Sequence, residues 1–315
     1  MPSLLDVAKR NAADSVHGLL DEAARQVPEI TGQVMSRGQM LTVPNVGAGR
    51  KISGIQYKTL VRTALPTAGF RNANEGVAAS ASSFENRLVE CFILNPRWEC
   101  DKAVADANED GAAAYIAEEA QAIVAAAMMA LGKQFYYGRG TGGHAKGHPG
   151  LIDSVDASLV VDATGTTSNG GSSVWAVKFG PQDVQWVMGN DGALTVSDPR
   201  EESIAEGAGR YTAYIQEMLS WVGLQARSKF AIGRIKNLTA QAGKTLTDAM
   251  IGDLYSRFPV GKKPDAFFLS RRSLEQLRSS RTATSVTGAT APTPTEWENV
   301  PLIPTDSIMD TEAIA

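Results

Sequence analysis

Residues 108–138 read NEDGAAAYIAEEAQAIVAAAMMALGKQFYYG, and this stretch decides the fold. Apolar side chains recur in it at spacings of three and four, which places them on one face of an α-helix. Asn108 is placed to cap the first turn and Gly138 to end the last. We therefore predict a helical rod of about 28 residues, roughly 42 Å long. The apolar stripe consists of Tyr115, Ile116, Ala120, Ile123, Ala127, Leu131 and Phe135.

A rod this apolar raises the question of a membrane span, but its polar residues argue against one. Glu118, Glu119 and Gln121 interrupt the run, so no uncharged stretch reaches the ~18–20 residues that a span needs. The many small side chains favour a helix on which a sheet packs closely. The other interpretation is an ordinary buried helix of an enzyme, because a scaffold element does not by itself give function.

The composition is that of a globular protein with one large or two ordinary domains. The chain has 315 residues, of which 43% are hydrophobic and 20% charged, and its net charge is −4. This charge does not suggest the basic surface that tight nucleic-acid binding requires. Residues 1–20 lack the apolar core of a signal peptide, so Cys91 and Cys100 are expected to be reduced thiols. Neither has a His or Cys partner nearby, and we predict no metal and no cofactor.

The sequence before the rod predicts an arm followed by a long hairpin. Residues 3–26 have an amphipathic helical pattern, and residues 29–50 show no strong period, as in an arm whose order depends on a partner. Residues 52–64 and 84–101 favour strands, and the turn-rich segment 65–83 joins them. An isolated hairpin is marginally stable in water, so a projecting one needs a surface to lie on.

The sequence after the rod alternates short strands and helices. We predict a helix at 245–257, capped by Thr247 or Thr245, a second helix at 271–280, and a surface loop at 281–295. Strands are predicted at 174–179, 184–188, 211–221, 224–235, 266–269 and 300–303.

Three motifs resemble known kinds of binding site, but each motif lacks a feature that its kind of site requires. The glycine-rich run 138–143 follows a helix, whereas a dinucleotide loop follows a strand. The run Gly243-Lys244-Thr245 ends like a P-loop, but Leu238 stands where that loop has its first glycine. His144 and His148 are four apart but lie among glycines, which disfavours a metal-binding helix. Because no coherent catalytic set emerges, we predict that the protein is not an enzyme.

Several short stretches lie in a characteristic order around the hairpin and the rod. They are Leu65-Pro66, Phe70-Arg71-Asn72, Asn74-Glu75-Gly76, 134–138, Gly150-Leu151-Ile152, 233–237, 267–277 and 300–308. In this order, from about residue 60 to the end, the chain resembles the major capsid proteins of tailed bacteriophages, which have the Hong Kong 97-like fold.

The resemblance implies an α+β fold with four segments. Residues 1–50 would be the N-terminal arm, and residues 51–106 the E-loop hairpin and strands of the peripheral domain. Residues 107–138 would be the long spine helix of the peripheral domain. Residues 139–315 would be mainly the axial domain, with closing strands.

The resemblance also implies where subunits meet. It places contacts at the tip of the E-loop, where Phe70, Arg71, Asn74 and Glu75 are the candidate interface residues. Some members of the family form a covalent bond between an E-loop lysine and a neighbour's asparagine. Lys58 lies at the base of the hairpin and not at its tip, so no such cross-link is expected.

The implied function is that of a structural subunit of an icosahedral capsid. Such subunits self-assemble into pentamers and hexamers that enclose double-stranded DNA without sequence-specific contact. The implied partners are a separate scaffolding protein, a portal protein and a decoration protein, and no membrane. The implied location is the virion, assembled in the host bacterial cytoplasm. The alternatives are an encapsulin-type compartment that holds a protein cargo and a soluble enzyme with an unrecognised site.

Overall fold

The computed structural model describes residues 49–192, 194–283 and 290–314. The predicted arm up to residue 48 and residues 284–289 of the predicted surface loop lie outside the described residues. The helices are α1 (Lys102–Asp106), α2 (Ala112–Tyr137), α3 (Asp248–Ser256) and α4 (Arg271–Ala283). The strands are β1 (Arg50–Lys51), β2 (Gln56–Ala64), β3 (Ser83–Glu90), β4 (Phe92–Leu94), β5 (Arg97–Asp101), β6 (Val160–Asp162), β7 (Ser172–Val177), β8 (Val184–Met188), β9 (Leu194–Val196), β10 (Arg200–Glu206), β11 (Gly209–Ala226), β12 (Ile232–Leu238), β13 (Ala266–Leu269), β14 (Glu296–Trp297) and β15 (Val300–Pro304).

The predicted rod is α2, which has 26 residues. The cap predicted at Asn108 is wrong, because the Asn108 side chain instead accepts the N–H of Asp110 in the turn before the helix, at 2.9 Å. Gly111 takes the cap position at a φ of 85°, which glycine adopts without strain. The predicted stop is confirmed: at Gly138 φ is 52°, and its N–H donates to the carbonyl of Gln134 at 3.0 Å.

By length and composition alone, α2 could cross a membrane. Core helices of globular proteins meet the same criterion, and the second half of α2 lies in such a core. Leu131, Phe135 and Tyr136 are buried there against Trp175 and Trp186. The predicted stripe is therefore the face on which the sheets pack.

A seven-stranded sheet is built around β11, which pairs with β4, β5, β8, β9 and β10. The break predicted between strands at 211–221 and 224–235 is wrong, because β11 runs without interruption from Gly209 to Ala226. The chain continues through Gly223, which pairs with Val187 of β8. A Cβ at Gly223 would lie 2.5 Å from the carbonyl oxygen of Glu90, so glycine there permits close approach of another segment and does not mark a turn.

A six-stranded sheet has the order β14-β15-β13-β7-β12-β6 and is covered on both faces. One face packs toward the end of α2 through Trp175 and Phe268. The other packs against α3 and α4 through Phe267, Leu254 and Leu277. Coverage of both faces explains why β7 is entirely buried. The strand predictions at 184–188 and 266–269 are confirmed residue for residue.

The strand predicted at 84–101 is three strands, β3, β4 and β5. The strand is interrupted at Cys91 and again at Asn95-Pro96. The second interruption arises because proline has no N–H to donate to a ladder. β4 and β5 join β11 in the seven-stranded sheet, whereas β3 pairs only with β2 among the described strands. β8 to β11 also lie in the seven-stranded sheet, so the segment 139–315 contributes to both large sheets.

Candidate subunit interface

The β2–β3 hairpin projects with little cover from the other residues that the structure describes. Its ladder runs from the pair Gln56–Glu90 to the pair Ala64–Ser83, with one irregularity near the tip. Leu60, Phe84 and Leu88 are each about half exposed on it. A two-stranded ribbon with apolar side chains in water is marginal by itself. Exposed apolar surface of this kind makes the hairpin a candidate contact site.

The tip, residues 65–82, is held by its own hydrogen bonds and not by a sheet. The N–H of Thr67 donates to Ser80 Oγ at 2.8 Å, and Ser80 Oγ donates back to the carbonyl of Thr67 at 3.1 Å. This pair closes the neck of the loop across 13 residues. The tip is therefore a preformed loop, which lowers the ordering cost of binding a neighbour.

The four predicted interface residues lie together in one turn of this tip. Arg71 Nη1 donates to the carbonyl of Glu75 at 3.1 Å, and Asn74 adopts a φ of 65°. The Glu75 carboxylate accepts from both the N–H and the side-chain amide of Asn72, each at 3.1 Å. Phe70 is fully exposed. The charged side chains of the tip thus shape the turn, and Phe70 is its exposed apolar side chain.

An open groove at the base of the hairpin was missed by the sequence analysis. It measures about 820 Å³ and lies between the hairpin and the turn that follows β11. Arg227 bridges the two, because its Nη2 donates to the carbonyl of Leu60 at 2.5 Å. We call it the basic groove; its lining includes Val61, Leu65, Phe84, Arg87, Arg227, Lys229, Phe230 and Lys262. Its cations come from three separate segments, so no linear motif marks it.

A buried polar network, also missed, ties the end of α2 to the six-stranded sheet. Arg234 pairs with Glu312 at 3.0 Å, and the hydroxyls of Ser173 and Tyr137 donate to the same carboxylate at 2.6 Å each. Burial and the charge of Glu312 raise the pKa of the Tyr137 hydroxyl. The partners of Glu312 lie on α2, β7 and β12, so the network holds these three elements together. We call it the buried clamp.

The histidines do not form a site together. His148 is buried, its Nδ1 donates to the carbonyl of Pro149 at 2.8 Å, and burial lowers its pKa to about 4. His144 is exposed, and its N–H donates to the side chain of Gln134 at 2.7 Å. In the part of the chain that the structure describes, no group of three or more His, Cys, Asp or Glu is placed to hold a metal. The loop 139–150 thus caps the end of α2.

The chain was compared with known proteins. The sequence profile described as "Major capsid protein GP7" matches residues 49–315. None of the curated proteins matches. A chain of the bacteriophage Epsilon15 structure is similar at a TM-score of 0.63 with 16% identity, covering 85% of this chain and 88% of that one.

Two further structures are similar at TM-scores of 0.41, too low to support an argument. One is a chain of the procapsid of bacteriophage JBD30, at 10% identity over 88% of this chain and 98% of that one. The other is the SrpI encapsulin of Synechococcus elongatus PCC 7942, at 9% identity over 61% and 86%.

The profile match covers most of the chain, and the similarity to the Epsilon15 chain, over 85% of this one, shows a shared fold. The structure has a long hairpin before the long helix, which is the order that the resemblance implied. The chain therefore belongs to the major capsid protein GP7 family and is a tailed-phage major capsid protein with the Hong Kong 97-like fold.

Proposed function

We propose that the protein assembles into pentamers and hexamers that close an icosahedral shell around double-stranded DNA. The observation that carries this proposal is the β2–β3 hairpin, whose apolar side chains Leu60, Phe84 and Leu88 are half exposed on a ribbon that no other described strand covers. A neighbouring copy would supply that layer. Contacts of this heterologous kind close into rings when the rotation allows it.

In this proposal the hairpin is the E-loop, and its tip residues Phe70, Arg71, Asn74 and Glu75 lie on the next subunit. The helix α2 is the spine of the peripheral domain, and residues 139–315 supply most of the axial domain. The six-stranded sheet with α3 and α4 is the natural candidate for that domain, because it forms its own core around Phe267 and Leu254.

The role is structural and not enzymatic, with assembly in the host cytoplasm. A separate scaffolding protein, a portal protein and a decoration protein complete the particle. The net charge of −4 suits a shell that holds DNA without binding it tightly. Particle contents separate this proposal from an encapsulin-type compartment: DNA supports the first and a protein cargo the second.

The test is a deletion of Arg71–Ser80 in the full chain. The subunit should keep its melting temperature, since among the described residues the side-chain hydrogen bonds of the tip are made within the tip. It should not form stable shells in sedimentation, because the contact on the neighbour is lost. The matched control replaces the same ten residues by a Gly/Ser segment, which restores length but not the contact and should also fail. If the deletion variant formed normal shells, the E-loop assignment would be wrong. If the variant did not fold, the hairpin would belong to the core of the subunit.

A further inference from the structure

Strand β11 connects two surfaces of opposite charge. Its first residue, Gly209, lies at the tip of the β10–β11 hairpin, and its last, Ala226, leads directly into Arg227 and Lys229 of the basic groove. Its 18 residues, at about 3.3 Å each, hold the two ends roughly 55 Å apart. Groups at the two ends therefore cannot pair within one subunit.

The surface around the start of β11 is acidic. We define this acidic surface as residues 97–119 and 198–217, which comprise β5, α1, the start of α2, and the β10–β11 hairpin. It holds twelve Asp and Glu against four Lys and Arg, a net charge of −8, whereas the whole chain carries −4. Glu201 pairs with Lys102 at 2.5 Å. Glu206, at the hairpin tip, is exposed and makes no ion pair among the described residues.

The titratable groups inside this surface respond to its negative field. Loss of solvent and the carboxylates of Glu99 and Glu206 raise the pKa of the Tyr211 hydroxyl. The charge of Glu119 raises the pKa of Tyr115 on α2. Carboxylates of β5 and of the β10–β11 hairpin thus act together on the Tyr211 hydroxyl.

The basic groove at the other end of β11 keeps exposed positive charge. Lys262 is neutralised by Asp183 at 2.6 Å, but Arg87 lies 4.0 Å from its nearest carboxylate, Glu85, and both are exposed. Lys229 is exposed, with its ammonium 4.8 Å from the ring of Phe230. Apolar groups lie between these cations, so the groove fits an acidic segment that also carries an aliphatic side chain.

We propose that the basic groove of one subunit receives the β10–β11 hairpin of a second copy of this chain. This inference rests on the proposed function and names the partner surface of the hairpin base. On one face of β10, Glu202 and Glu206 flank Ile204, because alternate residues of a strand share a face. Arg200 begins that face and lies 3.7 Å from Glu202, which leaves Glu206 as its unpaired carboxylate among the described residues. That face matches the cations Arg87 and Lys229 around an apolar floor. Because the two surfaces are different and lie at opposite ends, the contact is head to tail.

The test is charge reversal with rescue in the full chain. Arg87→Glu with Lys229→Glu should raise the lowest concentration at which shells form at least about tenfold, because like charges would face each other. Adding Glu202→Lys and Glu206→Lys should return it to within about threefold of the wild type. The matched control is Lys133→Glu with Lys146→Glu, which changes net charge by the same amount at exposed positions outside both surfaces and should not weaken assembly.

The salt dependence of assembly is a second measurement, and a folding defect would not imitate its result. Between about 0.1 and 1 M salt the Debye length falls from about 10 to 3 Å. Wild-type assembly should weaken over that range more than assembly of the neutral variant Arg87→Gln with Lys229→Gln. Equal salt dependence of the two would overturn the proposal.

Three other outcomes would also overturn it: unchanged assembly of the reversed groove, no rescue by the reversed hairpin, or equal weakening by the control. If the reversed groove assembles normally while the Arg71–Ser80 deletion does not, this inference fails and the proposed function stands. If the deletion assembles normally, the proposed function itself fails.

Discussion

Glu312 is the side chain on which the buried clamp depends. Its carboxylate accepts from Tyr137, Ser173 and Arg234, and so satisfies a cation that is only 9% exposed. Removing one partner of a buried pair leaves the other charged and unsolvated. Nothing in the local sequence marks this role, because the three donors lie far from residue 312 in the chain.

We predict that Glu312→Ala lowers the free energy of unfolding by about 3–5 kcal/mol. The measurement is denaturant unfolding of the unassembled subunit. Glu201→Ala is the control, since Glu201 pairs with Lys102 on the exposed acidic surface and its loss should cost about 0–1 kcal/mol. Equal effects of the two substitutions would mean that the clamp adds no stability.

His148 should make stability depend on pH. Burial lowers its pKa from 6.5 in the unfolded chain to about 4 in the folded one, so the unfolded state binds the proton more tightly. Stability is full above about pH 6.5 and is lost as the pH falls toward 4, by about 3 kcal/mol in all. Unfolding measured across that window should lose this slope in His148→Phe and keep it in His144→Gln. An unchanged slope in His148→Phe would assign the effect to other groups.

At the scale of elements, the small residues of α2 set how closely the sheets approach. Ala127 is buried against Met218 of β11 and contacts Leu94 of β4 and Val196 of β9. We predict that Ala127→Trp overpacks this contact and lowers the free energy of unfolding by about 1–3 kcal/mol. Ala122→Trp, on the exposed side of the same helix, carries the same change in helix propensity and should cost less. Thermal melting of both variants compares them, and equal losses would place residue 127 outside the packed face.

Elements with a strong local signal could be predicted, and those fixed by distant contacts could not. The period of α2 and the runs rich in valine or aromatic residues at 184–188 and 266–269 are local signals, so the positions of these elements followed from the sequence. The continuity of β11 through Gly223 depends on Glu90 and Val187, which are far away in the chain. The start of α2 was misplaced because Asn108 caps a turn and not the helix.

At the scale of the whole molecule, the candidate interface was only half predictable. The tip residues Phe70 to Glu75 came from the order of motifs, and the structure brings them into one turn. The basic groove needed three segments of the chain to meet, and the net charge of −4 conceals the separation of charge along β11. A total charge carries no information about where the charges lie.

We predict that assembled particles contain no covalent link between subunits. Lys58 lies in the ladder opposite Leu88, within the hairpin and away from its tip, where no lysine occurs. Particles boiled in denaturing detergent should migrate as one band near the chain mass of 33.4 kDa. Ladders of multiples of that mass, lost in a Lys58→Arg variant, would contradict this prediction.

The continuity of β11 has a mechanical consequence. A force applied at one end of an unbroken strand travels along the covalent backbone and does not have to pass through side-chain packing. The ladders with β4, β5, β8, β9 and β10 then carry the load in shear, so adjacent hydrogen bonds share it and do not open one after another. A force on one subunit of a shell would therefore displace the next subunit slightly as a rigid body. Outward pressure on the shell would place these strands under tension.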